Sequence, residues 1–476
     1  MSATAPTLRR VLHFRTIVST STGLAYAAIS LLACVQVATY MAGDSAWIAL
    51  LIAGALALLA ALCFSELNAL YPSAAAIRQY LRAAFNEKTS LTISFAYVLT
   101  IVAVIAADSY VVGSAVSFVF PQTPAILWIL LILAFAAGAN LFGIRIAGLL
   151  QDLTTYTLLV SLAIISILAL SHHGFTLHRP LAGLGNPGNL LNAVAVGVFV
   201  FSAFEWVTPL SEEMTDTRLI PRGMFVALGL LFVSYALFTL AATNLVGIGA
   251  LNDSPVPQML LGRAALGQLG VIWMLIATLF TGVMTFNGGF ATASRFLYAA
   301  AREATLPPVF ARLNMARAVP WVTVLLLAGA SAVVAVIIDM TREFTVLILV
   351  GAVLEALIYA AAGLCVIQLR RRQPTSERSF RIPLGWTIPI LTAVIFGLLG
   401  IAAAISPTPL PLLITGAVFI VSFAYVQFIV PRLKAAEEAR RLARGRRRPP
   451  RRPAPSPDTE SWTKGATDAE ASPAQG

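Results

Sequence analysis

The sequence predicts an all-α polytopic membrane protein with twelve transmembrane helices. Hydrophobic residues make up 58% of the 476-residue chain and charged residues only 11%, against about 25% charged in soluble domains. Mean hydropathy is +0.84. The apolar residues also fall into twelve runs, each near the roughly 20 residues that cross a hydrocarbon core as a helix. Length alone would suggest two or three soluble domains. The apolar runs instead make one membrane domain, in which each span must be helical to satisfy its own backbone.

Residues 1–14 are a polar, basic segment expected on the cytoplasmic side. No short apolar stretch with a small-residue cleavage site follows, so the first span is expected to act as its own signal. The transmembrane domain covers 15–430. Its spans fall near 15–41, 45–68, 91–119, 125–142, 150–171, 190–212, 223–248, 267–293, 319–339, 344–369, 385–405 and 411–430. The last two come from one charge-free run, divided at SPTPLP (406–411) because three prolines cannot sit inside one helix. Residues 431–476 form a basic tail. It opens as a short charged helix, KAAEEARRLARG, and continues through RRRPPRRPAPSP into a Ser, Ala and Gly-rich end. It cannot bury a core and is expected to be disordered.

Orientation follows from the basic residues. With the N-terminus inside and strict alternation, eighteen Arg and Lys residues fall on inner segments and three, Arg179, Arg263 and Arg342, on outer ones, before the tail is counted. This asymmetry supports twelve spans with both ends cytoplasmic. The tail's arginines lie just inside the membrane, where anionic headgroups attract them. An ordinary positive-inside anchor accounts for them; a regulatory switch is the alternative. Arginine far outnumbers lysine, which suggests a GC-rich bacterial genome.

The stretch FVFSAFEWVTPLSEEM, 199–214, departs most from an ordinary span. It places Glu205 among apolar residues and Pro209 four positions later. A carboxylate at that depth costs several kcal/mol, about 2.5–3.5 on insertion scales, unless it meets a cavity or a partner. Proline removes a backbone donor and kinks the helix. A broken span with polar groups near the midplane is what a transporter uses to hold a substrate. A kinked span with a paired, purely structural Glu205 is the alternative.

Three further acids lie inside apolar runs. Asp108 is about halfway along the third span, Glu355 near the centre of the tenth and Glu66 near the inner end of the second. Glu66 is read as a structural or gating group. Asp108 and Glu355 have no basic neighbour in their own spans, so each must face a cavity, pair across helices or hold a proton. They are candidate cation ligands or proton carriers, or else neutral acids bonded between helices. In the first span Ser19–Gly23 and Ser30 can present hydroxyls and amides to a ligand, or serve as helix-helix glue. Asn287, Gly288 and Gly289 in the eighth allow unwinding or close packing.

Other chemistries find little support. Cys34, Cys63 and Cys365 all sit in apolar runs without disulfide or metal spacing. The four histidines have no metal-ligand neighbours on a helix face, and His172 and His173 fall in an outer loop. No phosphate loop, nucleophile elbow or metal motif is present, so neither an enzyme nor a cofactor is expected. Nucleic acid is not expected as a partner despite the pI near 10.0, because the basic residues sit in loops and tail without interleaved aromatics.

Five segments in order resemble those of the amino acid-polyamine-organocation superfamily of secondary transporters. They are FSELNALYPSAAAIRQYLRAAF (64–85), FGIRIAGLLQD (142–152), FSAFEWVTPLSEEMTDTRLIPRGM (201–224), SRFLYAAAREATLPPVFARLN (294–314) and FRIPL (380–384). The resemblance covers about residues 15–430. It implies a LeuT-like five-plus-five inverted repeat plus two helices, with the first and sixth helices unwound at midmembrane. In that fold the freed backbone groups bind the carboxylate and amine of an amino acid. Carried over, the substrate-binding residues are Thr22, Gly23 and Ser30 in the first span and Phe201, Ser202, Ala203, Phe204 and Glu205 in the sixth. Asp108 and Glu355 are the coupling or cation candidates.

Two departures stand out. The superfamily's Gly-Ser-Gly element in the first span aligns with Ile29, Ser30 and Leu31, without glycine. Either the unwinding shifts toward Thr22–Gly23 or carboxylate recognition is weakened. The lysine that some members use for proton coupling in the fifth span is absent from LTTYTLLV (153–160). Coupling through that position is excluded, and exchange or another proton site is left. The expected protein is a transporter of an amino acid or related amine in the cytoplasmic membrane, with protons as a candidate second partner. An organic-cation or polyamine permease and a non-transporting nutrient receptor on the same fold are the alternatives.

Overall fold

The computed structural model describes residues 10–41, 43, 45–173, 181–314, 316–341, 344–404 and 409–446. The described residues are helical nearly throughout. In order the helices are α1 (Phe14–Ala25), α2 (Ala28–Tyr40), α3 (Ala46–Leu70), α4 (Ile77–Ala84), α5 (Glu87–Val119), α6 (Ala125–Phe142) and α7 (Ile144–His173). Next come α8 (Pro187–Val200), α9 (Ile220–Leu245), α10 (Ile248–Asn252), α11 (Pro257–Arg302) and α12 (Trp321–Thr341). The last are α13 (Phe344–Arg372), α14 (Thr387–Ala404), α15 (Leu410–Ala424) and α16 (Val430–Arg446). Each predicted apolar run has a helical counterpart among the described residues, with 15–41 divided between α1 and α2 and 190–212 continuing past the end of α8.

Among the described residues ten helical stretches are each long and apolar enough to span a membrane. The bent pair α1–α2 makes an eleventh, and the apolar part of α14, Thr387–Ala402, is shorter. The predicted twelve is thus not reproduced by length and composition alone. The fifth span begins earlier than expected, at Ile144, because Gly143 at φ +121° ends α6 and lets the chain turn straight into α7. His172 and His173 therefore close α7 instead of lying in a loop. Residues 406–408, the first half of SPTPLP, fall outside the described residues, as do residues 1–9 and 447–476, while Pro409 caps α15 and Pro411 lies in its first turn. The predicted charged helix at the start of the tail is α16.

Small residues set the close approaches. A Cβ on Gly197 of α8 would come within 2.9 Å of Ala53 on α3. One on Gly289 of α11 would meet Ile105 of α5 at 2.8 Å. Such contacts let helices pack where lipid offers no hydrophobic drive. Gly288 and Gly289 therefore serve packing, and α11 stays helical through Asn287. The interruption in α11 is elsewhere, at Leu266 and Gly267, whose φ is +58°. The three cysteines are buried as free thiols. Large apolar side chains such as Leu131, Val160, Leu269 and Ile420 face outward, as a lipid-facing surface requires.

Ion pairs join segments that the alternation puts on one side. Arg15 pairs with Asp152 at 2.9 Å, Arg302 with Glu212 at 3.4 Å and Lys434 with Glu87 at 3.1 Å. Arg78 bridges Glu87 at 3.0 Å and also contacts Glu303. Deeper, Arg295 of α11 reaches Glu213 at 2.9 Å, with both side chains almost wholly buried. Glu66 is buried too. It takes two bonds from Arg370, at 2.9 and 2.5 Å, one from Arg378, and the Ile382 amide at 2.9 Å. It thereby ties α3 to the end of α13 and to the FRIPL segment.

Candidate functional site

Among the described residues the first and the sixth spans are broken partway along their length. In the first, α1 and α2 meet at 58° around Tyr26 and Ala27. Neither glycine nor proline causes this break. It is held from outside. The Ala25 carbonyl, freed from helix bonding, accepts Tyr235 Oη at 2.7 Å and Ser30 Oγ at 2.8 Å. At the start of α2 the Ile29 N–H donates to Asp108 Oδ1 at 3.0 Å.

In the sixth span α8 ends at Val200. The chain turns through Phe201–Ala203 and continues as a 3-10 helix, Phe204–Glu213, which contains Pro209. Ala203 is left-handed at φ +76°, ψ 4°, which an L-residue adopts at a cost of about 1–2 kcal/mol. Its N–H donates to Tyr359 Oη at 3.0 Å. Tyr359 in turn donates to Glu205 Oε2 at 2.7 Å, and Tyr97 donates to Glu205 Oε1 at 2.9 Å. Trp206 stacks on Tyr97 with centroids 3.8 Å apart. Both oxygens of Glu205 are therefore occupied, which explains how a carboxylate is tolerated at this depth.

The two breaks face one small cavity, about 20 Å³ in volume, room for one or two waters. Its walls include Ala27, Ile29 and Ser30 from the first span, Ser202, Ala203 and Trp206 from the sixth, Ile101 and Val104 from α5, and Glu355 from α13. Of the sequence-derived candidates, Ser30, Ser202, Ala203 and Glu355 thus share one wall or another. Glu205 stands behind that wall, and its carboxyl faces that of Glu355. Glu355 Oε1 is buried without a hydrogen-bond partner.

The other candidates lie off the cavity. Phe201 packs edge-on against Tyr235 at 5.7 Å, and Phe204 lies 5.6 Å from Tyr359. Thr22 and Gly23 sit within regular helix, so the unwinding does not shift to them. A Cβ on Gly23 would collide with Gln151, Met284 and Thr155, which makes it a packing glycine. Asp108 does not line the cavity but caps α2. The sequence reading missed Tyr97, Tyr359, Tyr235 and Trp206, because a tyrosine or tryptophan in an apolar run does not announce a buried carboxylate as its partner. Among the described residues no group of three potential metal ligands occurs.

Comparison with known proteins agrees with this architecture. The amino acid permease family profile matches residues 12–431. The chain is 26% identical over 371 residues to Asc-type amino acid transporter 1 of Homo sapiens, covering 74% of this chain and 69% of that protein. It is 26% identical over 352 residues to the large neutral amino acids transporter small subunit 2 of Rattus norvegicus, covering 70% and 65%. It is 25% identical over 390 residues to the methylthioribose transporter of Bacillus subtilis (strain 168), covering 75% and 80%. A crystal structure of a manganese transporter mutant from Eremococcus coleocola superposes with a TM-score of 0.61 at 14% identity, over 89% of this chain and 94% of that one. That last likeness is one of fold.

Proposed function

The chain belongs to the amino acid permease family, a family of membrane transporters, and on that premise we propose that it is a secondary transporter of an amino acid or related amine. The observation that carries the reading is the pair of breaks, five spans apart, enclosing one cavity. Broken helices expose N–H and C=O groups where lipid supplies no partner, and transporters use such groups to hold a substrate near the midplane. Alternating access then opens the cavity to each side in turn. Ser30, Ser202, Ala203 and Glu355 contact the substrate in this reading. Glu205 and Asp108 hold the two breaks in shape, and the Glu205–Glu355 pair is the candidate proton carrier.

The basic residues of the inner segments favour both termini in the cytoplasm, and the arginine-rich composition favours a bacterial cytoplasmic membrane. Residues 15–430 do the transport, and the basic tail from 431 onward anchors to anionic lipid. No catalytic role is assigned to any residue. The test is uptake of labelled amino acids and amines into proteoliposomes, with and without an imposed pH gradient. Substrate-dependent accumulation above empty vesicles is expected. Binding without any uptake or exchange would make the protein a receptor.

A further inference from the structure

The amino end of α2 borders the cavity through Ala27, Ile29 and Ser30. A helix amino terminus carries unsatisfied N–H groups and the positive end of the dipole. In broken membrane helices that end receives the anionic group of a ligand. Here Ala27 at the cap offers no side-chain acceptor. The acceptor arrives from another helix. Asp108 of α5, fully buried, takes the Ile29 N–H at 3.0 Å and lies within reach of the Ala28 N–H. The Ser30 N–H is already bonded to the Ala27 carbonyl at 3.0 Å. The anion position is therefore filled by the protein itself.

A second observation comes from α13. Glu355 lines the cavity, is 3% exposed, and keeps Oε1 without a partner. The carboxyl it faces, Glu205, accepts one bond on each oxygen, from Tyr97 and from Tyr359. Two facing carboxyls away from water need a proton or a cation with them. Among the described residues no arginine or lysine lines the cavity to supply it. The indole of Trp206 is also in the wall, and an indole attracts a cation.

We infer that the site takes a protonated amine with no carboxylate, its ammonium on Glu355 and its apolar body among Leu24, Ile101 and Trp206. Asp108 stands where a substrate carboxylate would need to bind and repels one that approaches. This rests on the transport reading and narrows its substrate class.

The test uses the full chain in lipid nanodiscs, with binding followed by thermal shift and calorimetry. The probes are two matched sets: 3-methylbutylamine, L-leucinamide and L-leucine; ethylamine, L-alaninamide and L-alanine. In each set the amine and the amide are expected to bind at least tenfold more tightly than the amino acid, and Glu355→Gln is expected to weaken both at least tenfold. Asp108→Ala, which vacates the amino end of α2, is expected to raise the affinity for L-leucine relative to 3-methylbutylamine. If that variant fails to insert, Asp108→Asn, which keeps the shape and removes the charge, is expected to shift the ratio the same way, and the wild-type comparison decides by itself. Amino acids that bind wild type as tightly as the amines overturn the inference. If amino acids also accumulate in proteoliposomes while amines do not bind, the transport reading stands and only the inference falls. Binding and uptake of neither set overturns both.

Discussion

The hydroxyl of Tyr359 lies 2.7 Å from Glu205 Oε2 and joins the tenth span to the broken sixth. Tyr359 Oη also accepts the Ala203 N–H at 3.0 Å, so one phenol serves both the buried acid and the strained turn. Tyr359→Phe removes both bonds at once. Leaving a buried donor or acceptor unsatisfied costs about 1–3 kcal/mol for each group. A clearly lowered unfolding midpoint and loss of uptake are expected, with Tyr97→Phe milder because it deprives only one Glu205 oxygen. Equal midpoints for Tyr359→Phe and wild type would show that water replaces the phenol.

Ala203 holds a left-handed backbone without being glycine. Ala203→Gly relieves a strain of about 1–2 kcal/mol and is expected to match or exceed wild type in thermal stability. Ala203→Val adds a branched side chain in the same conformation and should lower it. The reverse order would mean that the turn relaxes in the membrane.

Ser202 lines the cavity and donates its hydroxyl to Val198 O at 3.2 Å. Ser202→Leu fills a space of about 20 Å³ with a larger side chain. Uptake is expected to vanish while the protein still inserts and elutes as a folded species. Retained uptake would place the substrate path elsewhere.

The first and sixth spans were not equally legible from the residues. Glu205 and Pro209 in one apolar run announce a break, and regular helix does end beside them, at Val200. The break in the first span has no such marker. Tyr26 and Ala27 carry no breaking tendency, and the turn is held by Tyr235, Ser30 and Asp108, two of them on other helices. Thr22 and Gly23 looked permissive because glycine is, yet Gly23 is small for the sake of Gln151 and Met284. Hydropathy locates spans because it is a property of each segment alone. A cap donated across helices belongs to the packed fold and leaves no local pattern. Asp108 stands out in its apolar run as a costly charge, but its partner, a backbone amide, has no signature in any sequence.

Arg295 and Glu213 form a pair with almost no solvent contact. Removing one partner of such a pair costs about 3–5 kcal/mol because the other is left charged and alone. Arg295→Met is expected to fall well below wild type in stability, while the double replacement Arg295→Met with Glu213→Leu recovers much of the loss. A double variant as unstable as the single one would mean that Arg295 acts through Ser294, 2.9 Å from its Nη1.

Glu66 collects Arg370, Arg378 and the Ile382 amide. Glu66→Gln weakens all three contacts and should loosen the segment between α13 and α14. Faster tryptic cleavage at Arg378 or Arg381 is the expected readout. Unchanged cleavage would show that Arg370, through its bond to Gly385 O at 2.5 Å, holds the segment without the acid.

The buried thiols of Cys34, Cys63 and Cys365 make the molecule a quiet background for its own measurement. Maleimides and spin labels have nothing on the surface to attack, so a cysteine introduced at a chosen position reports on that position without first replacing the native three. Pairs placed across the two broken spans would then record, label by label, which end of the pathway faces water at each step of the cycle.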